Sequence, residues 1–390
     1  MIDITSHGLR VVEVVEGLGC DELVRLHRSA TADGTGLRVK SFVYNSQPSR
    51  VIFGAGALDR LGQEIERLGA TRALVLSTPE QRSCAEDVAK RLGARSAGVF
   101  DKAVMHVPIE TAEAAREVAK ELNADCCVAV GGGSTIGLGK AIALTSALPI
   151  LAIPTTFAGS EMTPIHGITA QGQKKTGRDA RVLPKTVIYD PLLIMTLPAN
   201  IAGPSGMNAI AHCVEALYAE DANPITSLMA VEGIRTLAAS LPKVVNEPGN
   251  LEARSDALYG AWLAGACLGN VGMAIHHKLC HTVGGSYNLP HAQTHTIILP
   301  HAVQYNRDAA PEAMARISRA LGGADPAAGL WDLARSLGAP VALKSIGMKA
   351  ESLDEAARFA TLNPYYNPRP IEYAAIRQLL EDAWEGRRPG

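Results

Sequence analysis

Between Ser41 and about Pro198, short apolar runs alternate with amphipathic helical patterns, and that alternation leaves few folds open. ALVLST, AGVFD, CCVAV and PILAIPTT read as strands. GALDRLGQEIERLG, CAEDVAKRLG, IETAEAAREVAKELNA and IGLGKAIALTS read as helices, the first with Leu58, Leu61 and Ile65 on one side. FVYNSQPSRVIFG reads as a hairpin-like pair of strands. Continuous apolar strands separated by helices predict a mostly parallel, Rossmann-like sheet covered on both faces. After about Pro198 the strand runs stop. GMNAIAHCVEALYAE, ITSLMAVEGIRTLAASLPKVV, SDALYGAWLAGACLG, PEAMARISRALG and IEYAAIRQLLEDAWEG predict an all-α region. A chain of 390 residues also exceeds the size at which one core keeps growing, roughly 250–300 residues. The expected division is an extension over 1–39, an α/β domain over 40–198 and a helical domain over 199–390.

A net charge of −2 and 4% aromatic residues argue against a nucleic-acid or anionic-membrane surface. Cys20, Cys84, Cys126, Cys127, Cys213, Cys267 and Cys280 contain no CxxC pair and read as reduced thiols of a cytoplasmic protein. MIDITSHGLR lacks the apolar run of a leader, and no stretch of about 18 apolar residues follows.

The strand CCVAV ends in Gly131, Gly132, Gly133 and Ser134, and a helix begins within a few residues. Glycines let a backbone approach a phosphate, and a helix N-terminus offers free N–H groups to it. The next strand ends at Thr155 and Thr156, whose hydroxyls reach the same place. A tight turn uses the same glycines, and the stretch is not G-x-G-x-x-G, so the dinucleotide reading rests on this context. ALVLSTPEQ places Ser77 and Thr78 at a strand end where an anion would repel a 2′-phosphate. With no anion at that position, NADH is expected as cofactor and NADPH is tolerated.

The helical half carries the chemistry. MNAIAHCVEALY sets Asn208 and His212 four apart, and AIHHKLCHTVGGSYNLPHAQTHT sets His277 and His281 four apart with His291 beyond. Residues four apart share a helix face, so two facing helices would gather Asn208, His212, His277 and His291 around one point. That is a three-histidine metal site with an amide in place of the carboxylate. Asparagine oxygen is a poor ligand for zinc or iron, so no required metal is expected. Cys280 lies within the cluster and reads either as a thiolate or as a small buried filler. His276, His295 and His301 read as individually structural. Lys278, beside His277, reads either as a charge in the site or as a solvated lysine. Lys174, Lys175, Arg178, Arg181 and Lys185 form a basic run that is either a solvated face or a clamp for a dianion. Tyr365, Tyr366 and Arg369 near the C-terminus rank below the histidines.

From about Lys40 onward these motifs resemble the group III, iron-type alcohol dehydrogenases, which share a fold with dehydroquinate synthase. They resemble most the metal-independent branch, the maleylacetate reductases, through GGGSTIGLGKAIAL, PTTFAGSEMTP, KKTGRDARVLPKTVIYDP and HHKLCHTVGGSYNLPHAQTH. Asn208 falls on the family's aspartate, and His212, His277 and His291 on its metal histidines. His281 falls on a histidine near substrate and nicotinamide. Gly132, Gly133, Ser134, Thr155 and Thr156 fall on dinucleotide contacts. Gly137 replaces the aspartate of the commoner form, while Lys140 is retained.

The resemblance implies a cytoplasmic homodimer that reduces the double bond of maleylacetate, a small dicarboxylate, to 3-oxoadipate in aromatic-compound catabolism. Hydride addition β to the ketone places charge on the ketone oxygen. Protonated imidazole or Lys278 would meet that charge, and His281 would deliver the proton. Residues 1–39 resemble the C-terminal tail of a 3-oxoacid CoA-transferase small subunit; the other reading is a family-specific extension. The alternatives are a metal-dependent alcohol or glycerol dehydrogenase, a lyase of the dehydroquinate synthase type, and a non-catalytic nucleotide binder.

Overall fold

The computed structural model describes residues 49–170, 173–362 and 365–390, together with Phe42 and Tyr44. The 1–39 extension, and the first strand expected before Ser49 apart from Phe42 and Tyr44, lie outside the described residues.

Six strands form one parallel sheet: β1 (Arg50–Phe53), β2 (Ala73–Leu76), β3 (Ser96–Phe100), β4 (Cys126–Gly131), β5 (Ile150–Pro154) and β8 (Thr186–Tyr189). Their order across the sheet is β1-β8-β5-β4-β2-β3. The interior strands β2, β4 and β5 are buried along their whole length, which is why they read as unbroken apolar runs. Period-two alternation sorts their side chains to two faces. Val75, Cys126, Val128 and Val130 pack with Leu61, Ile65 and Val88 of α1 (Leu61–Arg67) and α2 (Arg82–Leu92). Leu74, Leu76 and Cys127 pack with Ala112, Ala115, Leu138 and Ile142 of α3 (Ile109–Glu121) and α4 (Gly133–Ser146).

One element departs from the expected parallel pattern. β6 (Ile165–Ala170) and β7 (Gln173–Arg178) form an antiparallel hairpin, with Ile165 opposite Arg178 and Gly167 opposite Thr176. The basic run therefore begins inside a strand.

After β8 every regular element among the described residues is helical. Helix α5 (Ala199–Ala216) is buried from Ala202 to Ala216 and forms the axis of this half. Around it pack α6 (Pro224–Asn246), α7 (Leu251–Asn270) and α9 (His291–Asn306), while α8 (Ile275–Tyr287) runs beside α9. Helices α10 (Pro311–Ala320), α11 (Pro326–Ser336), α12 (Leu353–Thr361) and α13 (Tyr373–Glu385) complete the chain. The buried guanidinium of Arg254 on α7 donates to the carbonyls of Ile194 and Leu197, tying down the link between sheet and helices. No single described helix is long and apolar enough to cross a membrane.

Candidate active site

A cavity of about 1270 Å³ runs between the C-terminal edge of the sheet and the helices α5, α8 and α9. Ligands commonly bind outside the carboxyl ends of strands in open α/β sheets. Its two ends are built differently.

At the sheet end, β4 turns through Gly131 and Gly132 into α4, whose first residue is Gly133. Gly132, Gly133, Ser134, Thr155 and Thr156 all line the cavity. A Cβ on Gly132 would lie 2.8 Å from Thr156 Oγ1 and 3.0 Å from its Cγ2, so only glycine leaves the threonine in place. The free N–H groups of the first turn of α4 face the same space, an anion-binding arrangement. Gln81 Nε2 donates to Thr155 Oγ1 at 2.6 Å and holds that hydroxyl. At Gly137 a Cβ would meet Val107 Cγ2 at 2.9 Å, so a side chain there would require the valine to shift. Lys140 is buried and donates to the carbonyls of Ser160, Thr163 and Ile165 and to Thr163 Oγ1. Burial draws its ammonium down to about 7, with Glu161 opposing. Its role here is to pin the start of β6 to α4.

The strand end after β2 corrects one expectation. Thr78 lines the cavity, but Ser77 is fully buried, with its hydroxyl unpartnered and its backbone bonded to Phe100 and Ala103. Alternation along the strand turns Ser77 away from the cleft. Glu80, two residues on, lines the cavity, and hydrogen bonds from its own backbone N–H and from Thr78 hold its carboxyl below the usual range. An anion therefore stands near the place where the sequence suggested none.

At the helical end, Asn208, His212, His277, Lys278, His281 and His291 all line the cavity. The ring centroids of His212 and His277 are 5.1 Å apart, and those of His277 and His281 are 6.1 Å apart. Asn208, His212 and His277 are buried together, whereas His281 and His291 are exposed toward the opening. His291 joins the group through His281 at 6.5 Å and His295 at 4.2 Å. The expected four residues thus share one cavity, with three at depth and His291 nearer its mouth.

His295 was missed. It lines the cavity, is 1% exposed, and lies 5.0 Å from His277 and 4.9 Å from His276, centroid to centroid. The signal for it was present, since it follows His291 by four residues on one helix. His276 also belongs to the cluster. His301 is buried but does not line the cavity. Glu215 was missed too, although Asn208, His212 and Glu215 fall at i, i+4 and i+7 of α5.

Among the described residues, the buried polar atoms at this end that lack a protein partner include Asn208 Oδ1, His212 Nδ1, His277 Nε2, both ring nitrogens of His295 and the Tyr365 hydroxyl. Burial holds His212 and His295 well below the ordinary histidine range, His276 at about 4 and His277 at about 3. These rings are neutral at neutral pH, which corrects the expectation that a protonated imidazole among them meets developing negative charge. Lys278 is half-buried, has no ion pair among the described residues, and holds its Nζ 5.4 Å above the Tyr365 ring.

The remaining candidates separate cleanly. Of the basic run, Arg178 lines the cavity and donates to the carbonyls of Gly269 and Leu268. Lys175 and Lys185 are exposed, and Arg181 pairs with Asp179 at the surface; the side chain of Lys174 lies outside the described residues. Tyr365 lines the cavity; Tyr366 borders a smaller neighbouring pocket. Arg369 stacks on Tyr305 and donates to its carbonyl, away from the cavity. Cys280 is buried against His276, and burial pushes its thiol well up, so it is a filler and not a thiolate.

Asn208, His212, His277 and His291 offer only neutral donors, and the amide oxygen among them is a weak ligand for zinc or iron. The nearby carboxylate, Glu215, already accepts from Ala274, His276 and His277. Among the described residues, two other groups bring three ligating atoms within 4.8 Å of one another: His276–Cys280–His295 and Glu215–His276–His277. In the first, His276 Nε2 already bonds the His295 carbonyl at 2.9 Å; in the second, the atoms hydrogen-bond one another. The set therefore keeps three imidazoles but lacks the carboxylate expected of a metal-binding relative.

Residues 48–191 match the iron-containing alcohol dehydrogenase family, and residues 203–384 match the C-terminal region of the Fe-containing alcohol dehydrogenase family. The chain is 60% identical over 351 residues to a maleylacetate reductase of Burkholderia cepacia, covering 90% of this chain and 100% of that one. The crystal structure of maleylacetate reductase from Agrobacterium tumefaciens superposes with a TM-score of 0.87 at 53% identity. That from Rhizobium sp. strain MTP-10005 gives 0.86 at 52%, and both matches cover 90% of this chain and 100% of the other.

Proposed function

Because the chain belongs to the iron-containing alcohol dehydrogenase family, within its maleylacetate reductase branch, we propose that it reduces the carbon–carbon double bond of maleylacetate to 3-oxoadipate with NADH and without a catalytic metal. One observation carries this reading beyond the family relation. The unpartnered atoms of Asn208, His212, His277 and His295 converge at one end of a cavity whose other end is the Gly132–Gly133 helix N-terminus. A dinucleotide spanning that distance brings its nicotinamide to the histidines.

The residues divide the work. Gly132, Gly133, Ser134, Thr155 and Thr156 hold the pyrophosphate, and Thr78 with Glu80 faces the adenosine ribose. Bound there, the reduced nicotinamide supplies hydride. Addition to the carbon β to the ketone moves charge onto the ketone oxygen. Lys278, a cation in the cavity wall with no ion pair among the described residues, meets that oxygen. His281, at the open side of the cluster, delivers a proton to the adjacent carbon. Arg178 and Lys278 make the wall suitable for a dicarboxylate. Glu80 lowers the tolerance for NADPH that the strand end alone suggested. The protein acts in the breakdown of aromatic compounds, in the cytoplasm and as a homodimer; light scattering checks the last point.

The deciding experiment is NADH oxidation by purified protein given maleylacetate with a strong chelator present throughout. Rapid, chelator-insensitive oxidation is expected. Activity that appears only after zinc or iron is restored would return the chain to the metal-dependent alcohol dehydrogenases.

A further inference from the structure

We propose that Glu215 is the positioning residue of the site: it fixes His277 as its Nδ1–H tautomer and so presents a bare Nε2 lone pair to the cavity. The inference rests on the site described above and deepens it.

Glu215 is fully buried on α5, 59 residues before Ala274, the residue that precedes α8. That helix begins after Ala274, which has no side chain to cap it. Glu215 supplies the cap from outside. Its Oε1 accepts from the His276 N–H at 2.7 Å, and its Oε2 accepts from the Ala274 N–H at 2.9 Å and the His277 N–H at 3.4 Å. The same Oε2 lies 2.7 Å from His277 Nδ1. Burial pushes the carboxyl up, while the N–H donors and the positive end of the helix favour the anion. A carboxylate has no proton to give, so His277 Nδ1 must be the donor.

A second contact assigns the same proton independently. His276 Nε2 lies 2.9 Å from the His295 carbonyl, which can only accept, so His276 carries its proton on Nε2. Its bare Nδ1 then faces His277 Nδ1 at 3.3 Å. Two lone pairs would repel there, whereas a proton on His277 Nδ1 satisfies both neighbours. This excludes the reverse arrangement, in which a neutral Glu215 donates to His277.

With Nδ1 committed, His277 Nε2 is an acceptor. It cannot stabilise an oxyanion while neutral. It anchors a donor in the cavity, such as an ordered water, an amide N–H or a substrate hydroxyl, beside His212 and Asn208. Oxyanion stabilisation then falls to Lys278, which has no ion pair among the described residues.

The test reads the tautomer directly. In the full-length protein labelled with ¹⁵N-histidine, long-range ¹H–¹⁵N spectra at neutral pH distinguish protonated from bare ring nitrogens, with His277 assigned through H277Q. The expected result is a neutral ring protonated on Nδ1 with Nε2 bare. A ring protonated on Nε2 would overturn the proposal, and this needs no Glu215 variant to fold. In E215Q, an amide oxygen at the Oε2 position turns its NH₂ against the His276 N–H, and the reverse orientation presents NH₂ to His277. His277 should lose its single tautomer, and kcat should fall roughly 10- to 100-fold with NADH affinity unchanged. A folded E215Q that keeps both the tautomer and kcat also overturns the proposal. The spectra need no turnover, so a failure to reduce maleylacetate would remove the functional reading and leave this one standing.

Discussion

The two ends of the cavity obtain their polarity from different sources. The dinucleotide end uses the backbone: a strand end, two glycines and the first turn of α4, with threonine side chains held from behind. The chemical end uses side chains on three helices, and several are left without partners. At a backbone site the free N–H groups of the helix N-terminus are met by water until an anion displaces it. A buried side-chain site leaves donors and acceptors unmet, at about 1–3 kcal/mol for each such group, until a ligand arrives. The first end is therefore a place to bind and the second a place to react. Variants should separate the two in kinetics.

The largest expected effect is at the chemical end. His281→Ala or Lys278→Ala should lower kcat by on the order of 10²- to 10⁴-fold while weakening NADH binding far less. Steady-state rates with fluorescence titration of NADH check this, and an unchanged rate removes that residue from the mechanism. Asn208→Asp should add the missing anion and tighten zinc or iron binding by on the order of tenfold or more, read by metal analysis after dialysis. Unchanged metal content would mean that Asn208, His212 and His277 do not share a coordination centre. At the other end, Gly132→Ala forces a Cβ to 2.8 Å from Thr156 Oγ1. Overpacking of about 1–3 kcal/mol should raise the KM for NADH roughly tenfold, with kcat nearly intact.

The buried imidazoles predict acid sensitivity. His276, His277 and His301 titrate at about 4, 3 and 4 in the fold, against 6.5 unfolded. Between those values the unfolded chain binds more protons, so stability falls as pH drops from about 6.5 toward 4. Chemical denaturation should show a decline of about 1 kcal/mol or more per histidine, and His301→Gln should flatten the slope without touching the cavity. The smallest effect is expected at the exposed Glu80. Glu80→Gln should raise the use of NADPH relative to NADH by roughly two- to fivefold. An unchanged ratio would place the ribose elsewhere.

The parallel sheet was legible because buried strands carry unbroken apolar runs such as CCVAV, and the helical half because its strand runs stop after Pro198. The hairpin β6–β7 was not, because QKKTGR carries no apolar alternation. It pairs with Ile165–Ala170 through backbone, which polar residues do equally well. Ser77 and Thr78 are neighbours in sequence, and only the local turn of the chain decided which of them faces the cleft.

Spacing alone determined that Asn208 and His212, and His277 and His281, share helix faces, since the helical period is a local property. It determined the glycine turn into α4 for the same reason. The tertiary structure decided what those faces meet. It set His291 near the opening, drew His295 and His276 into the cluster, and brought Glu215 across to cap α8 and to hold His277. These outcomes depend on how α5, α8 and α9 pack, and the packing of distant segments is not encoded in the period of any one of them.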